Sequence, residues 1–145
     1  MNLGQNVLIS SAITPAAGVA GTTDINGTVL DMKNYDGVLM IARMGVITAT
    51  AVTSIKAQQG TDGTVSDAAD LEGTGITIAA DDDNEIFVID LVKPRERYVR
   101  LVCDRGTANA VIDAHYIQYT GKKAPVTQGT GVTLETHVSP AEGTA

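Results

Sequence analysis

Apolar residues at helical spacing are nearly absent from this 145-residue chain, whereas short runs rich in Val, Ile and Thr recur between turns marked by Gly, Asp and Asn. That alternation points to an all-β fold. Three consecutive segments show it best. In residues 85–92, Phe87, Ile89 and Leu91 share one face; in residues 97–104, Val99, Leu101 and Cys103 oppose Tyr98, Arg100 and Asp104. In residues 110–120, Ile112, Ala114 and Tyr116 oppose Asp113 and His115. Ile117 and Tyr119 break that phase, which points to a bulge or to an inter-subunit face.

Weaker strand signals precede these. Residues 28–32 form a short β-like run, and after the turn at 34–37 the almost continuously apolar run from Val38 to Met44 reads as a strand covered on both faces. Residues 48–58 suit a half-buried strand, and Asp62-Gly63 marks a turn. Residues 64–73 read as a loop with at most one helical turn capped by Ser66 or Asp67, after which 74–79 resumes strand character. Seven or eight strands at this spacing describe an antiparallel β-sandwich or small barrel, jelly-roll-like in expectation. The sandwich is expected over residues 28–121. In residues 1–27, Val7, Ile9 and Ile13 stand among polar residues and permit either a strand or an arm. Residues 122–145 carry too little apolar matter for a core and read as an extended C-terminal arm lying on a neighbouring subunit. Its expected anchor is Val132-Thr133-Leu134 with Val138, extended ahead of Pro140, with Gly129 to Gly131 as the hinge.

Composition narrows the function. The chain has no Trp, one Phe and four Tyr, which weighs against modules that grip sugars or bases by stacking. A formal net charge of -7 argues against nucleic-acid binding. Twelve acids stand against three bases in residues 1–92, but five against seven in residues 93–145. The basic cluster of Lys93, Arg95, Arg97, Arg100, Arg105, Lys122 and Lys123 is either a solvated edge or a patch that meets an acidic partner. Cys103, the one cysteine, reads as a small buried hydrophobe in a protein made in a reducing cytoplasm. The first residues lack a basic signal-peptide region and no window approaches a membrane span, so a soluble protein outside the general secretory route is expected.

Candidate chemistry is sparse. Asp113 and His115 share a strand face, half of a nucleophile-activating arrangement, but no serine or cysteine with a motif around it accompanies them. The run Asp81-Asp82-Asp83-Asn84-Glu85 offers oxygen ligands without the spacing of a helix-loop-helix calcium site. His115 and His137 are the only histidines, so no zinc cluster forms. No catalytic residue, metal or cofactor is expected, and the chain does not read as an enzyme.

Four segments carry a family resemblance: residues 30–39 (LDMKNYDGVL), 67–74 (DAADLEGT), Val92-Lys93-Pro94 with Arg97-Tyr98-Val99-Arg100, and the ending 139–145 (SPAEGTA). Together they resemble the head cement or decoration proteins of tailed bacteriophages, over residues 28–145. The resemblance implies a β-sandwich that forms a dimer or trimer on the outer surface of the phage head. There it would bind the major capsid protein and hold neighbouring capsid subunits together around packaged DNA, with no direct contact to nucleic acid or membrane. Lys93, Arg95, Arg97, Arg100, Tyr116, Ile117, Tyr119, Val132, Leu134, Val138 and Pro140 are the expected capsid or inter-subunit contacts. Other functions that fit are a head-tail joining or tail-tube part of the virion and a host-surface or glycan-binding module.

Overall fold

The alternation along residues 110–121 becomes the spine of the structure, a computed structural model that describes residues 2–139 and 141–144. In chain order the strands are β1 (Leu8–Ile13), β2 (Ile25–Asn26), β3 (Leu30–Asp31), β4 (Tyr35–Ile47) and β5 (Val52–Gly60). Then come β6 (Ala69–Asp70), β7 (Ile76–Ile78), β8 (Ile86–Val92), β9 (Tyr98–Gly106) and β10 (Ala110–Gly121). They make two antiparallel sheets. One has the order β1-β10-β4-β8; in the other, β9 and β5 lie side by side, β2 and β3 flank β9, and β6 and β7 flank β5. The order establishes a two-sheet sandwich and does not establish jelly-roll connectivity. Of the two readings of residues 1–27 the strand is the one observed, so the sandwich begins at Leu8 and not at Thr28. Residues 48–51 form a turn ahead of β5, with Thr50 in the left-handed region at φ 72°.

The sandwich forms because each long strand presents one apolar row to the other sheet. Val38, Met40, Ala42 and Met44 of β4 and Ile112, Ala114 and Tyr116 of β10 meet Ile55 and Ala57 of β5 and Val99, Leu101 and Cys103 of β9. All are buried, and burying side chains of this size stabilises by about 1.5–3 kcal/mol each for the larger ones. Cys103 belongs to this core as expected, and burial pushes its thiol up to about 12, so it stays protonated and inert.

The phase of β10 does not break at Ile117. Gln118 takes the next inward place, buried, with its amide donating to the Asp31 carbonyl at 3.0 Å; Ile117 and Tyr119 stay on the outer side in step with Asp113 and His115. A polar residue in an inward place disguised a regular strand. The irregularity lies instead between Ala110 and Ile112, where the facing stretch of β4, Met44 to Ile47, has one residue more.

Tyr116 is fully buried, which removes it from the expected contact residues. Its hydroxyl crosses the core and accepts the Leu101 N–H at 2.7 Å, at the place on β9 between the β2 and β3 pairings. Gly27 donates to the Leu101 carbonyl at 2.8 Å from the same place. A Cβ on Gly27 would stand 2.7 Å from that carbonyl oxygen and 3.0 Å from the tyrosine oxygen, so glycine is required there by close approach.

Arg105 leaves the expected basic patch for a similar reason. It points inward from β9 and is buried; its guanidinium donates at 2.8 Å to the carbonyls of Thr23, Val19 and Ala110. Its own N–H donates to Asp24 at 2.7 Å. The cation therefore bolts the β1–β2 connection onto the sandwich and meets no partner.

Within the expected loop 64–73 the structure places a short strand, β6, and the loop ahead of it, residues 61–68, is pinned by its acids. Asp62 accepts from the N–H and hydroxyl groups of Thr64 and Ser66, and these bonds, the Ser66 hydroxyl foremost, hold its carboxyl far below the usual range. Asp67 accepts from Thr61. β6 follows directly.

The core arrangement gives one direct test. Tyr116→Phe keeps the ring and leaves the buried Leu101 N–H without a partner, so it lowers unfolding free energy by about 1–3 kcal/mol, read from urea denaturation.

Candidate interaction surfaces

Register places the outward side chains of the four-stranded sheet in rows. Ile9 of β1, Ile117 of β10 and Leu39 of β4 lie side by side, with Asp90 of β8 at the row's end. The next row is Ser11, His115, Ile41 and Val88, and the row beyond it ends at Arg43 and Ile86. On the other side Tyr119, Gly37 and Val92 form a fourth. The centre of this face is thus aliphatic. Ile86 and Val92 are about 60% exposed (61% and 60%), Val88 is 44% exposed, and Leu39, Ile41, Ile117 and Ile9 are half-buried. The run Val38 to Met44 was expected to be covered on both faces; one face is, and the other lies open.

Tyr119 organises the end of that face. Its ring lies over Gly37, where an added Cβ would fall 2.2 Å from the ring, and its hydroxyl donates to Asp90 at 2.5 Å. Burial, and then the Asp90 carboxylate beside it, push the phenol up to about 12.

The opposite surface, the outer side of the β9–β5 sheet, has another character. Lys56 bridges Asp70 at 3.0 Å and Asp104 at 3.2 Å, Gln58 donates to Asp70, and Arg100 donates to Gln58 at 2.8 Å. Arg97 makes a two-pronged pair with Asp31 at 2.6 and 2.8 Å and lies 5.0 Å from the centre of the Tyr98 ring. This face satisfies its own charges. Of the four expected basic contacts, Arg97 and Arg100 are therefore engaged within the chain. Lys93 and Arg95 remain exposed, at the rim of a cleft of about 380 Å³ that Lys33, Tyr35 and Lys122 also line.

The expected arm starts as part of its own domain. Val126 donates to the Gln5 carbonyl at 2.7 Å. The Gln128 side chain accepts the Ile9 N–H at 3.0 Å and donates to the carbonyls of Val7 at 2.8 Å and Gly4 at 3.1 Å, standing in for a peptide unit beside β1. Leu134 packs on Gly4, where an added Cβ would be 2.9 Å from Leu134 Cδ1. Val132 is half-buried, and Val138 is 94% exposed. Pro140, the last of the expected contacts, lies outside the described residues. So residues 122–128 dock at home, Leu134 touches the body again at Gly4, and the span that leaves the body begins after Leu134.

The structure brings Ile117 and Tyr119 together on the outer face, and groups Lys93 with Arg95 at one end. Tyr116 lies apart from them in the core, and Val138 stands in solvent. Sequence reasoning missed Ile9, Leu39, Ile41, Ile86, Val88 and Val92. Their signal was present in β4 and β8, where residues of both parities are apolar.

Asp113 Oδ2 stands 3.1 Å from His115 Nε2 on this same face, and Ser11 occupies the register position opposite His115. The three sit on an open sheet surface. The acidic run 81–85 is used locally: Asp83 accepts the Ile47 N–H at 2.7 Å and Asp82 the Ala79 N–H at 2.8 Å. Among the described residues no group of three or more His, Cys, Asp or Glu is placed to hold a metal ion. No family model and no curated protein matches the sequence.

The Asp31–Arg97 pair makes acid stability testable. The guanidinium holds the Asp31 carboxyl at about 2, below its ordinary 3.8. Since the folded value is the lower one, its stabilisation is present above pH 3.8 and is lost as pH falls through about 2. Asp31→Asn costs under about 1 kcal/mol at neutral pH, because both partners are nearly half exposed, and in melts the deficit shrinks below pH 3.8 and vanishes as pH falls below about 2.

Proposed function

We propose that this protein is a virion structural component of a tailed bacteriophage that binds the outer surface of the head and cements neighbouring major capsid proteins. The resemblance in residues 30–39, 67–74, 92–100 and 139–145 supports it from the sequence. The single structural observation that carries it is the aliphatic outer face of the β1-β10-β4-β8 sheet, set against an opposite face whose charges pair among themselves. A contiguous apolar surface on one side of a sandwich marks an interaction site of the protein-protein kind.

The work is mechanical. The outer face covers apolar surface on the shell, Lys93 and Arg95 meet acidic side chains at its rim, and the tail beyond Leu134 reaches a second capsid subunit. Because only the assembled shell offers both contacts, binding stabilises assembly over the free subunits. Repetition over many copies lets modest individual contacts hold. An acidic protein also keeps clear of the genome.

Copy number in purified particles tests the assignment. A number close to that of the major capsid protein is expected; a dozen or fewer makes the protein a connector, and absence from particles overturns the reading. Within it, Ile41→Lys places a charge at the centre of the outer face and weakens binding to heads by at least about tenfold. A chain ending at Gly129 keeps Gln128 and therefore the fold, and lowers head occupancy. Undiminished occupancy with either variant removes that surface from the contact.

A further inference from the structure

Strand β8 is the last strand of its sheet and leaves one edge open. In β8 the bonds to β4 are bracketed by Met44 N–H to Glu85 O at 3.0 Å and Lys93 N–H to Asp36 O at 2.6 Å. Antiparallel pairing then turns Phe87, Ile89 and Leu91 toward β4 and leaves the N–H and C=O groups of Ile86, Val88, Asp90 and Val92 pointing away from it. Among the described residues those outward groups meet no partner. An open edge seven residues long, bearing exposed Ile86, Val88 and Val92, is a template for another strand.

The other edges differ. On β1 the Val7 carbonyl and the Ile9 N–H are taken by Gln128, and the Ala12 carbonyl accepts from Thr28 at 2.8 Å. β2, β3 and β6 have two residues each and β7 three. Edges are usually guarded by charge, and the one charge in β8 is Asp90, drawn back over its own sheet by Tyr119.

The sequence of β8 is close to a palindrome in chemical type about Ile89: Val88 against Asp90, Phe87 against Leu91, Ile86 against Val92. Centred there, two antiparallel copies overlap along the whole strand. The outward-facing residues then form the hydrogen-bonded pairs, Ile86 with the partner's Val92 and Val88 with the partner's Asp90. The inward-facing Phe87 meets the partner's Leu91. A shift of two residues one way sets the two Asp90 side chains opposite each other, so like charge rejects that register. We propose that β8 pairs edge to edge with β8 of a second copy across a two-fold axis, joining two four-stranded sheets into one of eight strands. This contact is isologous, closes at two subunits, and is independent of what the outer face binds.

The register has a signature that simple apolar contact lacks. Val88→Asp sets a carboxylate opposite the partner's Asp90, twice per dimer, and Val88→Lys sets an opposite charge there. Light scattering and sedimentation of the purified chain should show a dimer that Val88→Asp weakens about tenfold, and that Val88→Lys leaves as tight or tighter. Ile117→Lys, on the same face but two strands in from the edge, in β10, should leave the dimer intact while it weakens binding to heads. Far-UV circular dichroism checks folding. Should Val88→Asp not fold, Val88→Pro, which removes only an outward N–H, replaces it with monomer as the expected result. A monomeric or trimeric wild type overturns the proposal. So do equal losses in Val88→Asp and Val88→Lys, or a dimer lost in Ile117→Lys. A dimer confirmed with no binding to heads would fail the capsid assignment alone.

Discussion

The ladder between β4 and β10 determines, residue by residue, which side chains reach the core and which face out. Because it is the longest pairing in the molecule and both strands are flanked on either side, a one-residue slip would exchange the core row for the outer row across the whole sheet. Two groups hold the register from within. Tyr116 reaches the opposite sheet with its hydroxyl, and Gln118 reaches the Asp31 carbonyl with its amide. Each buries a polar end only because its partner lies at one place, and such satisfied polar contacts specify a single packing where aliphatic contacts alone would tolerate several. The aliphatic outer face follows from the same alternation.

What could be read from residues alone follows from how local each signal is. The inward rows of β8, β9 and the first half of β10 were legible because strand period and apolar identity coincide there. The second half of β10 was misread where a glutamine holds an inward place, since its justification is a carbonyl in another strand. Arg105 was misassigned to a surface patch for the same reason: the three carbonyls that make a buried cation tolerable come from a loop some eighty residues earlier and from the next strand. Gln128 gave no local sign at all. The outer face was half legible. Ile117 and Tyr119 stand out in the sequence, but the apolar run in β4 points to cover on both faces where the structure has it on one.

The two broad surfaces divide the labour by chemistry. On the β9–β5 side, Lys56, Asp70, Asp104, Gln58 and Arg100 saturate one another, so a partner would have to break existing bonds to dock there. On the other side aliphatic groups face water with few bonds to lose. Four of the polar residues among them, Asp90 with Tyr119 and Asp113 with His115, are paired within the sheet; Arg43 and Ser11 stand beside them in the same rows. Docking on that side is therefore favoured by what the surface lacks as much as by what it presents.

Gln128 deserves its place for a reason beyond holding the tail. A sheet open at both edges can add neighbours without limit, which is the route to fibrils. Here the side-chain amide of a residue far along the chain occupies backbone groups at one edge, and the opposite edge stays free. With Gln128 at one edge, the proposed pairing of β8 with its copy uses the other, and growth by that route would stop after a single step.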